Sequence, residues 1–331
     1  MAVYNSLTTR SDAAALIPED VTTEIIQGAV ETSAVLRLAR KLPNMTRAQR
    51  RIPVLSAFPT AYFVSGDTGL KQTTEMAWGN KYIDAEELAV IVPLSENVLA
   101  DVEYDIWGEV KPRIIEALGI AIDQAILFGT NAPSSWPDDL LTGATAASHT
   151  VDYSTQIGAG DDLYDMILGT LANNASGLVG LVEEDGYEVN GYVGSISSRG
   201  LLRAARLPDG AGNAGKGEPL FKREPMQDAT RYFLDGDPIY FPKNAAVLAA
   251  SALLFAGDWD QLVYAIRQDI TWKIATEGVI QDGSGATVYN LFQQDMVALR
   301  ATMRLGWQLP NPINRVQPTE ASRYPFAVLV P

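Results

Sequence analysis

The chain has 331 residues with one histidine and no cysteine, and its formal net charge is −15. A chain of this length usually divides its core between two subdomains. Without cysteine it cannot form disulfides, thiolate nucleophiles or Cys-ligated zinc sites, and one histidine excludes multi-histidine metal sites. The acidic balance disfavours a domain that grips nucleic acid, because such a domain must neutralise phosphates. No stretch of eighteen apolar residues and no secretory signal pattern occurs, so no membrane contact is predicted.

The first part of the chain is predicted to be an arm. Residues 1–16 show no periodicity and are expected to be extended. A helix is predicted to begin at Pro18, because proline followed by two acids is typical of a first helical turn. Residues 34–42 are predicted to be helix or strand at an interface. A local basic patch follows at Arg47, Arg50 and Arg51, which is either a solvated turn or a contact with an acidic neighbour.

A long β-hairpin is predicted from Arg51 to Pro93. Strand patterns occur at residues 52–55, 61–64, 75–82 and 88–94, and residues 65–69 have turn chemistry. A hairpin of this length has too little core of its own to stay ordered in water. It therefore needs a neighbour, and a neighbouring subunit is the economical candidate. A short helix is predicted just after it, at residues 95–100.

The most regular stretch is a predicted amphipathic helix from Tyr104 to Phe128, with apolar residues three or four positions apart. Pro112 lies inside it, and proline has no N–H to donate to the carbonyl of Gly108. Two alternatives remain open from the sequence. The helix begins near Lys111 after a separate turn, or it is one long helix that bends at the Gly108–Pro112 pair.

Beyond a break at residues 133–137, short helices are predicted at 161–171 and 197–205, and a flexible glycine-rich loop at 209–217. Strands are predicted over the rest of the chain. Their ranges are 187–195, 238–241, 245–249, 252–255, 262–266, 270–274, 296–307 and 326–330. The run 296–307 is the clearest of these, since its apolar and polar residues alternate strictly.

Candidate chemistry is sparse. The loop from Gly210 to Gly215 fits G-x-G-x-x-G, but a helix precedes it and no helix start follows, so a mobile loop is favoured over a nucleotide site. The acidic runs 183–185 and 235–237 lack EF-hand spacing and are interpreted as solvated turns. A Ser–His–Asp triad would have to use His149, which is interpreted as an exposed loop histidine without a role.

The order of several stretches resembles a known family. These stretches are residues 16–43, the hairpin through Phe63 and Trp78, residues 92–99 with the long helix ending at Gly129, residues 255–259, and the strand 296–305. Taken in this order, these stretches are similar to those of the major capsid proteins of tailed bacteriophages, whose Hong-Kong-97-type fold is shared with encapsulin shells.

The resemblance implies an α+β, Hong-Kong-97-type capsid fold with an N-terminal arm, an extended loop, a peripheral domain with a long spine helix, and an axial domain. The implied segments are as follows: arm 1–50, extended loop 51–93, peripheral domain with spine helix 94–137, axial domain 138–277, peripheral strands 278–309, and a C-terminal return to the axial domain 310–331.

The implied function is structural. Hexamers and pentamers of the chain would form an icosahedral shell around a phage genome, without catalytic, cofactor or metal sites. The implied partners are other copies of the chain, a separate scaffolding protein, a portal, a decoration protein, and DNA through non-specific contact only. Assembly would take place in the host cytoplasm, and the product would be a virion capsid. The alternatives are an encapsulin-like compartment and, from another class, an enzyme with a nucleotide or carboxylate site.

The resemblance also suggests where copies meet and where the chain bends. The candidates for contact between subunits are Arg47, Arg50, Arg51, Lys71, Trp78 and Lys81, and those for a helix hinge are Gly108 and Pro112. Some family members cross-link a loop lysine to a neighbour's asparagine beside a glutamate. The matching stretch here, residues 293–302, has no glutamate and carries Asp295 near the expected asparagine. A shell without covalent cross-links is therefore expected.

Overall fold

The structure is a computed structural model that describes residues 33–64, 70–101, 106–169, 171–172, 175–206, 217–225 and 230–331. Its helices are α1 Ala34–Leu38, α2 Glu96–Asp101, α3 Ile106–Phe128, α4 Leu140–Ala146, α5 Tyr153–Ala159, α6 Leu163–Ile167, α7 Leu178–Glu184 and α8 Ser198–Leu202. Its first nine strands are β1 Arg40–Lys41, β2 Gln49–Ala57, β3 Ala77–Asp84, β4 Glu86–Ser95, β5 Thr150–Asp152, β6 Gly191–Gly194, β7 Phe221–Pro225, β8 Thr230–Leu234 and β9 Asp237–Tyr240. The remaining strands are β10 Leu254–Gly257, β11 Val263–Ala275, β12 Val279–Gln281, β13 Thr287–Asn290, β14 Met296–Gln308 and β15 Phe326–Val330.

The first sheet has four strands in the order β1-β11-β14-β4. Its two central strands, β11 and β14, are antiparallel and thirteen residues long. The alternation predicted for residues 296–307 is confirmed, because its apolar members are buried while Arg300 is exposed. Helix α3 packs on the apolar face, where Ile114 and Leu118 contact Leu299 and Ala301.

Helix α3 is one helix of 23 residues with Pro112 in its interior, so the first alternative, a start near Lys111, is wrong. Residues 102–105, where the prediction began, lie outside the described residues. The buried stripe includes Ile114, Leu118, Ile122 and Ile126, which are the positions that the helical spacing predicts. In the described part of the chain, no helix has both the length and the apolarity needed to cross a membrane.

The second sheet has seven strands in the order β5-β15-β10-β6-β9-β8-β7. Its central strands β10, β6 and β15 are almost entirely buried. One hydrophobic cluster joins the two sheets, since it contains Ile126 of α3, Phe255 of β10, Trp307 of β14 and Phe326 of β15. The Trp259 indole N–H donates to the Gly191 carbonyl at 2.9 Å, which fixes the junction between the sheets.

The predicted hairpin is shorter than expected. Strands β2 and β3 pair antiparallel from Gln49–Asp84 to Ala57–Ala77 and form a two-stranded ribbon, while residues 61–64 form no strand. Strand β4 pairs along its whole length with β14 instead, so the predicted extension of the hairpin to Pro93 is wrong. The alternation of apolar and polar residues in β4 is compatible with pairing to β3 or to β14. Local sequence cannot reveal the pairing with β14, because that strand lies about 200 residues further along the chain.

Several smaller predictions are also corrected. Residues 245–249 form no strand, residues 262–266 and 270–274 belong to the single strand β11, and the predicted helix at 161–171 contracts to the five residues of α6. The helix predicted at 95–100 is confirmed as α2, and residues 34–42 contain both alternatives, α1 followed by β1. The helix expected from Pro18 and the loop 209–217, apart from Gly217, lie outside the described residues.

The base of the ribbon is held against the first sheet. Ile83 is fully buried and packs with Met45, Val263 and Ala265. Gly306 of β14 lies directly under the turn after β3, where a Cβ atom would collide with the carbonyl of Asp84. This close approach fixes where the ribbon leaves the first sheet. Further along the ribbon, the Ile313 N–H donates to the Leu55 carbonyl at 3.2 Å, and Arg315 donates to the Pro59 carbonyl at 3.1 Å.

Candidate functional site

The β2–β3 ribbon and the loop at its end present the largest group of exposed apolar side chains in the described chain. These are Tyr62, Phe63, Val64, Leu70, Met76, Trp78 and Tyr82. Trp78 is 66% exposed and lies opposite Leu55. Apolar side chains exposed together in this way mark an interaction surface.

The basic patch divides into residues with different roles. The guanidinium of Arg50 turns back and donates to the carbonyls of Pro43, at 2.6 Å, and Asn44, at 3.0 Å, so it stabilises the preceding turn. Arg47 and Arg51 are exposed. Arg51 lies opposite Tyr82, and the period of two places it on the same face of the ribbon as Trp78.

The two lysines also differ. Lys71 is exposed in the loop at the end of the ribbon. Lys81 forms an ion pair with Glu320 of its own chain, with 2.7 Å between Nζ and Oε1. This pair lowers the pKa of the Glu320 carboxyl, chiefly through the hydrogen bond from Lys81. The Lys81 side chain is 38% exposed and that of Glu320 is 62% exposed, so water screens the pair and it adds about 0–1 kcal/mol to stability.

A groove of about 300 Å³ lies between the middle of α3, the start of β4 and the loop 130–136. Its apolar lining consists of Leu88, Ala117, Ile120, Ala121, Ile122, Ala125, Pro133, Trp136 and Leu305. Two carboxylates, Glu86 and Glu87, line it as well. Glu86 accepts from Ser135 at 2.6 Å, and Glu87 forms an ion pair with Arg304, so both are held in place.

Sequence reasoning missed a second apolar surface at the far end of the first sheet. Its exposed members are Trp272, Ile274, Val279, Val288, Tyr289 and Phe292. Their alternation is typical of a half-buried strand, but α3 does not extend over this end of β11. No sequence signal marks this surface, because the apolar pattern of a strand does not show how far a helix covers its face.

Sequence reasoning also missed Asp123, which is fully buried on α3. Its carboxylate accepts from the hydroxyl of Ser33 and from the backbone N–H groups of Ala34, at 2.8 Å, and Val35, at 3.2 Å. Ser33 in turn caps α1 by accepting from Leu36 at 3.0 Å. One side chain of the central helix thus anchors the start of α1. Burial raises the pKa of Asp123 to about 6, although these three hydrogen bonds lower it.

The interpretation of His149 as an exposed histidine is wrong. His149 is buried, its Nδ1 lies 3.2 Å from the Phe326 carbonyl, and its Nε2 lies 3.2 Å from the Asp185 carboxylate. The same carboxylate accepts from the Tyr324 N–H at 2.6 Å, so this member of the run 183–185 is not part of a solvated turn. Both ring nitrogens have partners that fix the C-terminal strand, and neither is placed to activate a serine.

The remaining site predictions have plain outcomes. Gly108 is exposed and Pro112 half-buried, both within α3. Residues 210–215 of the glycine-rich motif lie outside the described residues. Within the described ranges, no group of three or more acidic or histidine side chains could hold a metal ion.

Comparisons with known proteins agree with this architecture. The phage capsid family matches residues 13–314. The major capsid protein of Staphylococcus phage 80alpha is 29% identical over 291 residues, which cover 87% of this chain and 79% of that protein. A solved chain of Microbacterium phage Oxtober96 is 33% identical with a TM-score of 0.77, over 98% of this chain and 100% of its own. A chain of Mycobacterium phage Bobi is 30% identical with a TM-score of 0.77, over 98% and 99%.

A more distant likeness shows the fold alone. The capsid of the native GTA particle is 20% identical with a TM-score of 0.60, over 99% of both chains. The chain has the α+β, Hong-Kong-97-type capsid fold. It belongs to the phage capsid family and is a shell-forming major capsid protein.

Proposed function

We propose that copies of this chain assemble as hexamers and pentamers into an icosahedral shell around a phage genome, and that the ribbon lies across a neighbouring copy. The four-stranded sheet with α3 forms the peripheral domain, and the seven-stranded sheet forms the axial domain near the five-fold and six-fold axes. Strand β4 belongs with the peripheral sheet, so the extended loop is shortened from 51–93 to residues 51–84. The arm is 1–50 as the resemblance implies, and its described end anchors at Asp123.

The exposed ribbon carries this proposal. A two-stranded ribbon is only marginally stable in water by itself. The contacts that this ribbon makes within its own chain, at its base and with residues 313–320, leave its apolar side chains exposed. Exposed Trp78, Tyr82 and Phe63 would be covered by a second copy, and covering them stabilises the assembly by about 25 cal/mol per Å² of apolar surface removed from water. A head-to-tail contact of this kind closes into a ring when the rotation between copies allows it, as in the hexamers and pentamers of a shell.

The proposal extends to partners and chemistry. The chain acts without enzymatic activity or a cofactor, and it takes part in assembly in the host cytoplasm with a scaffolding protein, a portal and a decoration protein. Its net charge of −15 lets a wall enclose DNA with non-specific contact only. An encapsulin-like compartment would have the same fold but would contain protein cargo instead of nucleic acid.

The test is a shortened ribbon. Replacing residues 58–76 by Asn-Gly joins the paired residues Ala57 and Ala77 through a tight turn and keeps the base of the ribbon. The variant should retain the circular dichroism spectrum and melting temperature of the wild-type subunit but form no closed shells in negative-stain images. Normal-sized shells from a correctly folded variant would refute the role of the ribbon.

A further inference from the structure

The segment 311–323, which we call the strap, connects β14 to β15 and contacts the ribbon of its own chain on the way. The Ile313 N–H donates to the Leu55 carbonyl of β2 at 3.2 Å. The Arg315 guanidinium donates to the Pro59 carbonyl, just beyond β2, at 3.1 Å. The strap is thus bonded to the backbone of the ribbon at two places.

Side chains add two further contacts between the strap and the ribbon. The Arg315 guanidinium lies 4.8 Å from the centre of the Phe58 ring, and Glu320 forms the ion pair with Lys81 of β3. Exposed contacts of this kind are individually weak, because water competes for both partners. The strap therefore holds both sides of the ribbon through contacts that can be exchanged without disturbing a core.

The two ends of the strap are tied together by a buried arginine. Arg323 is 3% exposed. Its guanidinium donates to the side-chain and backbone oxygens of Asn311, both at 2.9 Å, and to the Gln317 carbonyl at 2.8 Å. Asn311 Nδ2 donates back to the Arg323 carbonyl at 2.8 Å. Because a buried guanidinium needs acceptors and the strap supplies these, Arg323 fixes the shape of the strap.

The strap is also attached to the second sheet. The Tyr187 hydroxyl donates to Asn311 Oδ1 at 2.7 Å, and Asn314 Nδ2 donates to the Asp185 carbonyl at 2.5 Å. Asp185 directly follows α7, whose Val182 is fully buried in the core of that sheet. The base of the ribbon is attached to the first sheet, so the strap gives the ribbon a second attachment. Two attachments determine a direction, whereas the base alone leaves the ribbon free to tilt.

We propose that the strap sets the direction of the ribbon in the unassembled subunit and so prepares it for a neighbouring copy, with Arg323 as the positioning residue. The inference rests on the proposed role of the ribbon in assembly, but it concerns contacts within one chain. An element that already points in the required direction loses less conformational freedom on binding, and assembly is favoured accordingly.

Distances between spin labels measure the direction of the ribbon, because the chain has no native cysteine to interfere with labelling. One label is placed on Asn80→Cys, exposed on β3, and the other on Ile157→Cys, exposed on α5. Double electron–electron resonance of the otherwise wild-type, unassembled subunit should give one narrow distance distribution. A control pair on Ile157→Cys and Ile196→Cys, both exposed and outside the ribbon, shows whether the rest of the subunit changes.

Two kinds of variant loosen the strap. Arg315→Ala combined with Glu320→Lys removes the side-chain contacts with the ribbon and should broaden the distribution between the labels at 80 and 157. Adding Lys81→Glu restores an ion pair of reversed polarity and should narrow the distribution again. Arg323→Lys keeps the charge but lacks the planar fork that ties the ends of the strap together, so it should broaden the distribution as well.

The matched control reverses an acid in another exposed ion pair, Glu218→Lys beside Lys222, and should leave the distribution unchanged. Circular dichroism and the melting temperature show whether each variant is folded. If Arg323→Lys does not fold, the variant with Arg315→Ala and Glu320→Lys still tests the strap, because both of its substitutions are at exposed positions.

The concentration needed for shell assembly gives a second measurement. Loosening the strap should raise it by about threefold to tenfold, since the ribbon must then be ordered on binding. An unchanged distance distribution, equal broadening in Glu218→Lys, or broadening without a change in that concentration would each overturn this inference and leave the shell function intact. Failure of the wild-type chain to form particles would instead count against the proposed shell, while distances in the free subunit would still test the strap.

Discussion

Asp123 is an ionisable residue in the interior of the fold. It has no exposed surface, and all three of its donors come from one short segment, Ser33 to Val35. The carboxylate thereby satisfies N–H groups that the first turn of a helix cannot satisfy itself. Anchoring of the arm at Ser33 to Val35 thus depends on one side chain of α3.

The pKa of this residue determines how the anchor responds to pH. Burial raises it from 3.8 to about 6, so the folded state binds a proton that the unfolded state has released between these two values. Stability therefore falls as pH rises through this window, and the loss is complete above it. A pKa difference of about 2 corresponds to about 3 kcal/mol.

We predict that Asp123→Asn removes this dependence. The amide cannot ionise, so the difference in unfolding free energy between variant and wild type should change by about 2 kcal/mol between pH 4 and pH 7, in favour of the variant at high pH. The free energy of unfolding is measured by urea unfolding of the unassembled subunit at several pH values, with tryptophan fluorescence as the signal.

The matched control is Asp152, the half-buried N-cap residue of α5. Its pKa is lowered, mainly by the hydrogen bond from the Thr155 N–H, so its contribution has the opposite sign. That stability is present at neutral pH and is lost as pH falls through the folded pKa. A parallel response of Asp123→Asn and Asp152→Asn would contradict the assignment to burial.

At the scale of elements, α3 combines a long apolar stripe with an internal proline. The ring of Pro112 crowds the carbonyl four residues earlier, at Gly108, and this favours a bend. Residues C-terminal to Pro112 pack into the cores of both sheets, whereas Gly108 is exposed. Bending there would move the first two turns while the rest of the helix stays fixed.

We propose that α3 changes curvature at Gly108 and Pro112 as the shell matures. Pro112→Ala removes the crowding and supplies an N–H, which favours a straight helix by up to about 3 kcal/mol. The helix should then be straighter in precursor particles, as measured by its curvature in cryo-EM maps. Lys111→Ala, at the exposed neighbouring position, should leave the curvature unchanged. Equal curvature in wild-type precursor and mature particles would refute a hinge.

Elements whose own residues show a clear periodicity could be predicted from sequence. Elements whose pairing depends on residues far along the chain could not. The alternation of β14 and the spacing of α3 reflect their own burial, so both were found with nearly correct ends. Strand β4 pairs with β14 and His149 packs against Asp185, and neither partner can be inferred from neighbouring residues. The ribbon was recognised by its length, but Asp123 carried no signal, because an acid within a helix is usually exposed.

At the scale of the whole molecule, a shell must hold together through surfaces that a single subunit leaves exposed. The described chain has two large apolar ones, the ribbon and the far end of the first sheet around Trp272 and Phe292. They belong to different elements, the β2–β3 ribbon on one hand and β11 with the β12–β13 region on the other, so they are separate surfaces. Burial of such surfaces can stabilise a closed assembly without covalent bonds.

We predict that mature particles contain no covalent cross-links between subunits. An isopeptide needs a deprotonated lysine, an electrophilic amide carbonyl and a base within hydrogen-bond reach. Lys81 is paired with Glu320, which leaves Lys71 as the exposed amine of the ribbon loop. Asp295, just before β14, offers a carboxylate, whose carbonyl carbon is a poor electrophile.

The measurement is a denaturing gel of boiled mature particles, which should show a single band near 35.8 kDa. The side-chain amides near this turn are hydrogen-bonded to one another and to the backbone. Asn290 Nδ2 donates to Gln293 Oε1 at 2.9 Å, and Gln294 Oε1 accepts from the Asn290 N–H at 3.0 Å. A ladder of oligomers that survives boiling in SDS would contradict the prediction. Loss of that ladder in Lys71→Arg would then identify the amine, because arginine keeps the charge but cannot form the bond.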